Sequence, residues 1–484
     1  MLLPPTPKKP DPLARLITQP AFEGLPISLV QHCQAVPLGI LVRGTLEWLL
    51  DETDLERLFQ EQAPDQYTRE LSIAALVGLL IQVSAGARAS VFAAYKADRA
   101  SAAPTISTSY QAVYGKLGRT NPAASEALVR FSAEKLGRLV RGLPAAEAEM
   151  LPGYRLRVLD GNILAGTEHR LKPLRKWKNA CLPGKSLVVY EPSQGLVTDL
   201  VLCEDAYTQE RALVSDLLPR VQANDLWVAD RNFCTSRFVF GVKTRRGFVV
   251  VRQHGQSLPC WPVSKLRKSG QTETGTVYEQ RVCTTDPDSG EVLSLRRLEL
   301  WLLEKTRHGD RTIVVLTNLP DSVTAVQIAE IYRQRWTIEK QFHFLTESLH
   351  CEVPGLGKPR AALLMFAMAL VAGNALTVVR ATLREAHGTE TEADLSGYYL
   401  ADELAADYRT LMKYLPADQW VGWQSLKVKD LVRLLTAIAS QVNVAGLTRT
   451  TRGPKKPRAQ TRIYDNKHRH RSTARLLEEA ENSS

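Results

Sequence analysis

The feature that most constrains this chain is a change of periodicity near residue 154. Upstream, apolar residues recur at helical spacing. The run 71–95 (LSIAALVGLLIQVSAGARASVFAAY) is rich in Ala, Leu and Val, a second segment spans Ser107 to Leu117, and a third runs from Asn121 to Leu143 behind an Asn-Pro start that suits a helix N-terminus. Downstream, alternation at period two takes over. Residues 154–160 (YRLRVLD) alternate, and 186–192 and 196–205 flank a Ser-Gln-Gly turn, which predicts a hairpin. A helix over 208–221, a short buried strand over 226–230 (LWVAD), a helix near 236–244 and a strand over 247–253 (GFVVVRQ) complete the pattern. A meander followed by helix, strand, helix and strand commits this part of the chain to an α/β sheet.

The pattern shifts again at 254, where 254–321 reads as a small, turn-rich β segment. Residues 322–350 predict one long helix, 360–387 a second, and 395–445 further helix. From Thr448 the chain is basic and poor in core residues, with Asp465 the one acid before the closing LLEEAEN run. These shifts divide the chain into a helical region (1–150), a sheet part (151–253), the β-rich segment (254–321), a helical return to the sheet (322–390), a helical C-terminal region (391–447) and a basic tail (448–484).

The 484 residues carry 62 Lys and Arg against 51 Asp and Glu, a formal charge of +11, and are 44% apolar. That apolar share excludes global disorder, and the basic excess makes polyanions the natural partners. Seven scattered cysteines without a Cys-x-x-Cys pair argue against a disulfide framework or zinc ribbon and for a reducing compartment. The opening MLLPPTPKKPDPLARL lacks an apolar leader core, so a secretory signal is not expected. Residues 361–379 are uncharged and borderline for a membrane span, but Gly373, Asn374 and Thr377 interrupt them, which favours a buried core helix and no membrane.

Two aspartates end predicted strands: Asp160 closes RLRVLD and Asp230 closes LWVAD. Strand ends are where an α/β sheet presents ligands to a crevice, although an Asp there also serves as a turn or helix cap. The helix over 322–350 carries Tyr332, Arg335 and Glu339, whose spacings of three and four residues share one face. A carboxylate there, facing two strand-end aspartates, makes a three-carboxylate cluster suited to Mg²⁺ or Mn²⁺. Two such ions can activate water and stabilise the leaving oxygen of a phosphodiester. Arg335 then fits as a phosphate ligand, with Tyr332 hydrogen-bonding a phosphate oxygen. The plainer alternative is a salt-bridged surface helix. Arg231 beside Asp230, and Arg252 and His254 at the end of a strand, are further phosphate candidates. The basic segments 168–170 and 175–178 are either DNA-backbone contacts or a solvated loop. The N-terminal helices show no clean helix-turn-helix.

Asp160-Gly161-Asn162, Val228-Ala229-Asp230-Arg231-Asn232-Phe233 and Tyr332-x-x-Arg335-x-x-x-Glu339 resemble the DDE transposases of bacterial insertion sequences, the IS-four type with its Tyr-Arg-Glu-Lys signature. The resemblance covers about 154–380. It implies an RNase H-like catalytic core interrupted by a β-rich insertion and flanked by helical N- and C-terminal regions, the former for DNA-end binding or multimerisation. It implies two Mg²⁺ or Mn²⁺ ions on Asp160, Asp230 and Glu339, cutting at the element's end, and attack of the freed 3′-hydroxyl on target DNA. It also implies a DNA-bound homodimer, because two ends must be brought together, in a bacterial cytoplasm at the nucleoid. The family's lysine falls at Thr346, leaving Lys340 and His343 as the nearby phosphate candidates. In some relatives an aromatic side chain stacks on a flipped base; Trp261, Trp301 and Trp336 are placed for that role or are core residues. A nuclease that cuts without joining, and a catalytically silent DNA-binding relative, are the alternatives.

Overall fold

A computed structural model describes residues 18–64, 70–101, 103–144, 149–306, 309–449 and 482. Two compact units divide the chain, Met1–Thr448 and Arg449–Ser484. The second unit is the basic tail, which lies almost wholly outside the described residues.

Among the described residues the first unit opens with a 3₁₀ turn at Pro20–Phe22 and seven α-helices: α1 (Ile27–Ala35), α2 (Pro37–Leu49), α3 (Glu52–Gln62), α4 (Ile73–Ser84), α5 (Val91–Arg99), α6 (Tyr110–Leu117) and α7 (Pro122–Gly142). Their starts follow from local chemistry. Ser72, Ser90 and Ser109 each accept a backbone N–H from the first turn of α4, α5 and α6, and Asn121 does so for α7 with Pro122 at the first helical position. The apolar run 71–95 is two helices, because the chain turns at Gly86 with φ of 73°.

The sheet begins with β1 (Arg155–Ile163), β2 (Lys185–Glu191) and β3 (Leu196–Cys203), an antiparallel meander. The helix expected over 208–221 is broken into a 3₁₀ turn at Glu210–Ala212, the four-residue α8 (Val214–Leu217) and a 3₁₀ turn at Leu218–Arg220. Pro219 has no N–H to continue an α-helix, which explains its end. Then come β4 (Asp225–Ala229), α9 (Ser236–Thr244) and β5 (Phe248–Arg252). β4 lies parallel between β1 and β5.

The segment 254–321 forms β6 (Trp261–Pro262), β7 (Arg267–Thr272), β8 (Gly275–Thr285), β9 (Val292–Leu302) and β10 (Thr312–Thr317). These strands extend the same sheet, because β10 pairs antiparallel with β5. The order is β3-β2-β1-β4-β5-β10-β9-β8-β6, with β7 on β8.

The chain then returns to helix. The single helix expected over 322–350 is two, α10 (Ala325–Arg333) and α11 (Arg335–Ser348), divided at Gln334. Thr324 opens α10 with a reciprocal capping box to Gln327. Next are α12 (Pro359–His387), α13 (Thr389–Ala393), α14 (Gly397–Tyr414), α15 (Val421–Gln424) and α16 (Val428–Ala439). α12 is long and apolar enough to cross a membrane, yet 89% of its apolar window is buried in the protein. Asn374, the interruption noted in its sequence, is satisfied inside: it accepts the N–H of Val197 and donates to Val197 O and Ser132 Oγ.

Strand alternation sorts side chains onto two cores. Val158, Val188, Leu226, Val228 and Val250 face α12 and the N-terminal helices, whereas Leu159, Leu187, Val189, Trp227, Val249 and Val251 face α8 and α9. β2 and β4 are buried along their whole length because both faces are covered.

Candidate active site

Strand register builds the site. Leu159 is level with Ala229 across β1 and β4, and Ala229 is level with Val251 across β4 and β5. The next residue on each strand is therefore Asp160, Asp230 and Arg252, in a row at the shared C-terminal edge. Period two puts them on the face of Val158, Val228 and Val250, the face that the helices cover. α11 packs against β1 there.

Arg335, at the start of α11, reaches into this row. Its guanidinium donates to Glu339 Oε1 at 2.8 Å and stands 3.8 Å from Asp160 Oδ2. Asp160, Asp230 and Glu339 all act electrostatically on this arginine. Burial pushes the Asp160 carboxyl up to about 6; Arg335 and the Gly161 N–H, which donates at 2.9 Å, oppose that rise, and Asp230 and Glu339 add to it. Tyr332 is buried, and burial raises its hydroxyl to about 12. The break at Gln334 places Tyr332 on a different helix from Arg335 and Glu339. All three still line one cavity of about 680 Å³, together with Arg252 and Trp336, opposite Leu300, Leu302 and Ile313 of β9 and β10. Of the three carboxylates only Glu339 lines it.

The other candidates separate by environment. Arg252 donates to Asp310 at 3.0 Å, Arg231 is exposed next to Asp230, and Lys340 is exposed on α11. His254 is engaged in a turn, its Nδ1 accepting the Ser257 N–H at 3.2 Å. His343 and Thr346 lie on α11, but their side chains are outside the described residues. The tryptophans are not core residues: Trp261, Trp301 and Trp336 are 44%, 47% and 38% exposed. Trp301 rests on Tyr278 with ring centroids 4.5 Å apart, and Arg335 lies 5.5 Å from the Trp336 ring.

One residue was not picked out from the sequence. Glu210, in the 3₁₀ turn after β3, accepts from Asn232 Nδ2 at 2.8 Å, and its carboxylate occupies the space where a Cβ on Gly161 would sit. It thus touches both the Asp160 and the Asp230 segments. The only sequence signal was the Gly beside Asp160.

The donor chemistry fits hard divalent cations, since every candidate ligand is a carboxylate and three of them face one guanidinium. In this arrangement no three His, Cys, Asp or Glu side chains among the described residues are close enough to share an ion, and Arg335 contacts both Asp160 and Glu339.

Residues 151–372 match a family model described as a transposase DDE domain, a stretch that includes all three carboxylates. Among solved structures, the cryo-EM structure of a piggyBac transposase synaptic complex with hairpin DNA aligns with 80% of this chain and 84% of its own, at 10% identity and a TM-score of 0.35. No curated protein matches the chain.

Proposed function

We propose that the protein is a DNA transposase of the IS-four type that cuts element ends and joins the 3′-hydroxyl to target DNA. The sheet from β1 to β5 is its RNase H-like core, and β6–β10 are the insertion. The observation that carries this reading is the excess of charge at the β1–β4 edge, three carboxylates around Arg335 inside the stretch matching a transposase DDE domain. Asp160, Asp230 and Glu339 would hold two Mg²⁺ or Mn²⁺ ions, which supply activation of water and stabilisation of the leaving oxygen. The chain's own residues do the rest. Arg335 and Arg252 orient phosphate oxygens through planar guanidinium forks, and Arg231 and Lys340 add positive charge at the rim. Exposed Trp336, on the cavity wall, offers a face on which an unpaired base can stack, as do Trp301 and Trp261 farther out on the strands. Two ends must be held together, so the working form is a DNA-bound homodimer in the bacterial cytoplasm.

A catalytically silent DNA-binding relative is the second reading. It is favoured by the Arg335–Glu339 pair, which occupies a carboxylate that metal binding requires. One assay separates the possibilities. Purified protein is incubated with Mg²⁺, labelled DNA from the segments that flank the reading frame, and a target plasmid. Joined products support the transposase. Cleavage without joining indicates a nuclease, and binding without cleavage indicates the silent relative.

A further inference from the structure

Residues 166–181, between β1 and β2, are a basic loop with a fixed shape. Its neck is closed by the Thr167–Cys181 bridge, the Thr167 N–H donating to Cys181 O at 2.9 Å. Within it the Trp177 N–H donates to Leu174 O at 3.0 Å, Arg175 donates to Arg170 O at 3.1 Å, and His169 Nε2 donates to Asn179 O at 2.9 Å. The Glu168 N–H donates to Pro354 O at 2.9 Å, and the Ala165 N–H to Glu352 at 2.9 Å, so the loop is tied to the connection that follows α11. It therefore springs from the strand bearing Asp160 and is anchored behind the helix bearing Glu339.

Apart from Thr167, no residue of this loop is buried. Its one carboxylate, Glu168, is paired with Arg170. Lys172, Arg175, Lys176 and Lys178 are exposed and have no carboxylate partner among the described residues. In their midst Trp177 is 57% exposed, with Lys176 Nζ 5.6 Å from its ring. Unpaired cations around an exposed indole are the chemistry that holds a nucleic-acid backbone and stacks on a base.

We propose that this loop is a DNA clamp beside the candidate site, its four cations without a carboxylate partner among the described residues holding duplex phosphates and Trp177 stacking on an unpaired base at a strand end. The proposal rests on the chain acting on DNA, and its test is kept apart from cleavage. Binding of the full-length protein to a fluorescent duplex of random sequence is measured against salt without divalent ions, using blunt and overhanging ends. Each phosphate contact contributes about 0.9 to the slope of log affinity on log salt. The variant with Lys172, Arg175, Lys176 and Lys178 changed to Gln should therefore lose about 3 to 4 from that slope. A control with Arg138, Lys413, Lys427 and Lys429, all exposed elsewhere, changed to Gln removes the same charge and should keep the slope. Trp177→Ala should weaken binding to the overhanging duplex roughly tenfold and leave the blunt duplex unaffected. Equal slopes for the loop and control variants, or no salt-dependent binding by the wild type, would overturn the clamp. A protein that bound through the loop yet never cut DNA would keep this inference and sink the transposase reading.

Discussion

The two ends of β1 treat charge in opposite ways. At the N-terminal end Arg155 donates to Asp225 at 2.7 Å, while Arg157 stands 3.5 Å from Glu191 and 3.8 Å from Asp225. Two guanidiniums thus meet two carboxylates. The neighbouring group is balanced too: Arg220 reaches Asp199 at 2.8 Å and Glu126 at 2.9 Å, and Arg130 lies 3.3 Å from Asp199. That network ties α7 to the sheet. Toward the other end, five residues along the same strand, three carboxylates share Arg335, and one of them, Glu339, lines a cavity. A structural ion cluster closes its charge and excludes water; this one is left short of positive charge. Buried charge without compensation is costly, and the proposed function reads this shortfall as the place where a cation would be supplied from outside.

The largest way to break the comparison is Glu339→Gln or Asp230→Asn. Either should reduce DNA cleavage on the order of a thousandfold, about 4 kcal/mol of barrier, while end binding stays nearly unchanged. Wild-type cutting by either variant would show that these carboxylates do not form the site. At the closed end the effect should fall on stability instead. Asp225, 1% exposed at its side chain, also accepts the Gln222 N–H at 2.8 Å. Asp225→Ala leaves Arg155 without its carboxylate and Arg157 with Glu191 alone, and should cost about 3–5 kcal/mol in a denaturant titration.

Removing the charge at the open end should do the reverse. The folded pKa of Asp160 is raised to about 6 from an ordinary 3.8. The folded state therefore holds a proton more tightly than the unfolded chain. That preference stabilises fully below the ordinary value and is lost as pH rises through about 6, up to about 3 kcal/mol in all. Asp160→Asn should accordingly raise the Tm by a few degrees at about pH 8 in chelator, in the variant that no longer cuts. Divalent ions should raise the wild-type Tm at about pH 8 and do so progressively less as pH falls through about 6, because protons compete for the same carboxylate. A Tm indifferent to Mg²⁺ at every pH would place the cation elsewhere.

What the sequence disclosed, and what it hid, divides along local and non-local lines. Asp160 and Asp230 were legible because each follows a run of alternation written in its own few residues, although only Asp230 lies at a strand end, β1 running on past Asp160 to Ile163. Their juxtaposition was expected from the family resemblance and not from any local pattern, since it depends on the parallel register of β1 and β4, some 70 positions apart. The same limit kept the β10–β5 pairing out of view, so 254–321 read as a separate piece when it extends the sheet. Helical periodicity passed unbroken through Gln334, because a single tilted peptide does not disturb the spacing of apolar residues. The tryptophans read more readily as core residues, and their exposure followed only from neighbours that the sequence does not show.

Glu210 offers the finest test, because it links both aspartate segments without an ion-pair partner among the described residues. Gly161 leaves room for its carboxylate, and Asn232 donates to it at 2.8 Å. A methyl group from Gly161→Ala would overlap only the far end of the flexible Glu210 side chain, which can swing away. The backbone at Gly161 has ordinary strand geometry, so the substitution adds no strain of its own. The loss is then one hydrogen bond to a charged acceptor, about 1.5–3 kcal/mol at most and less at this half-exposed position. If Glu210 merely fills space, Gly161→Ala and Glu210→Ala should each lower the Tm slightly and leave cleavage intact. If it holds the Asp160 and Asp230 segments in register, both should slow single-turnover cleavage several-fold with unchanged DNA affinity, and the double variant should be no slower than either alone. Additive slowing in the double variant would mean that the two residues act through separate contacts, and the link between the two aspartates would have to lie in the strand register alone.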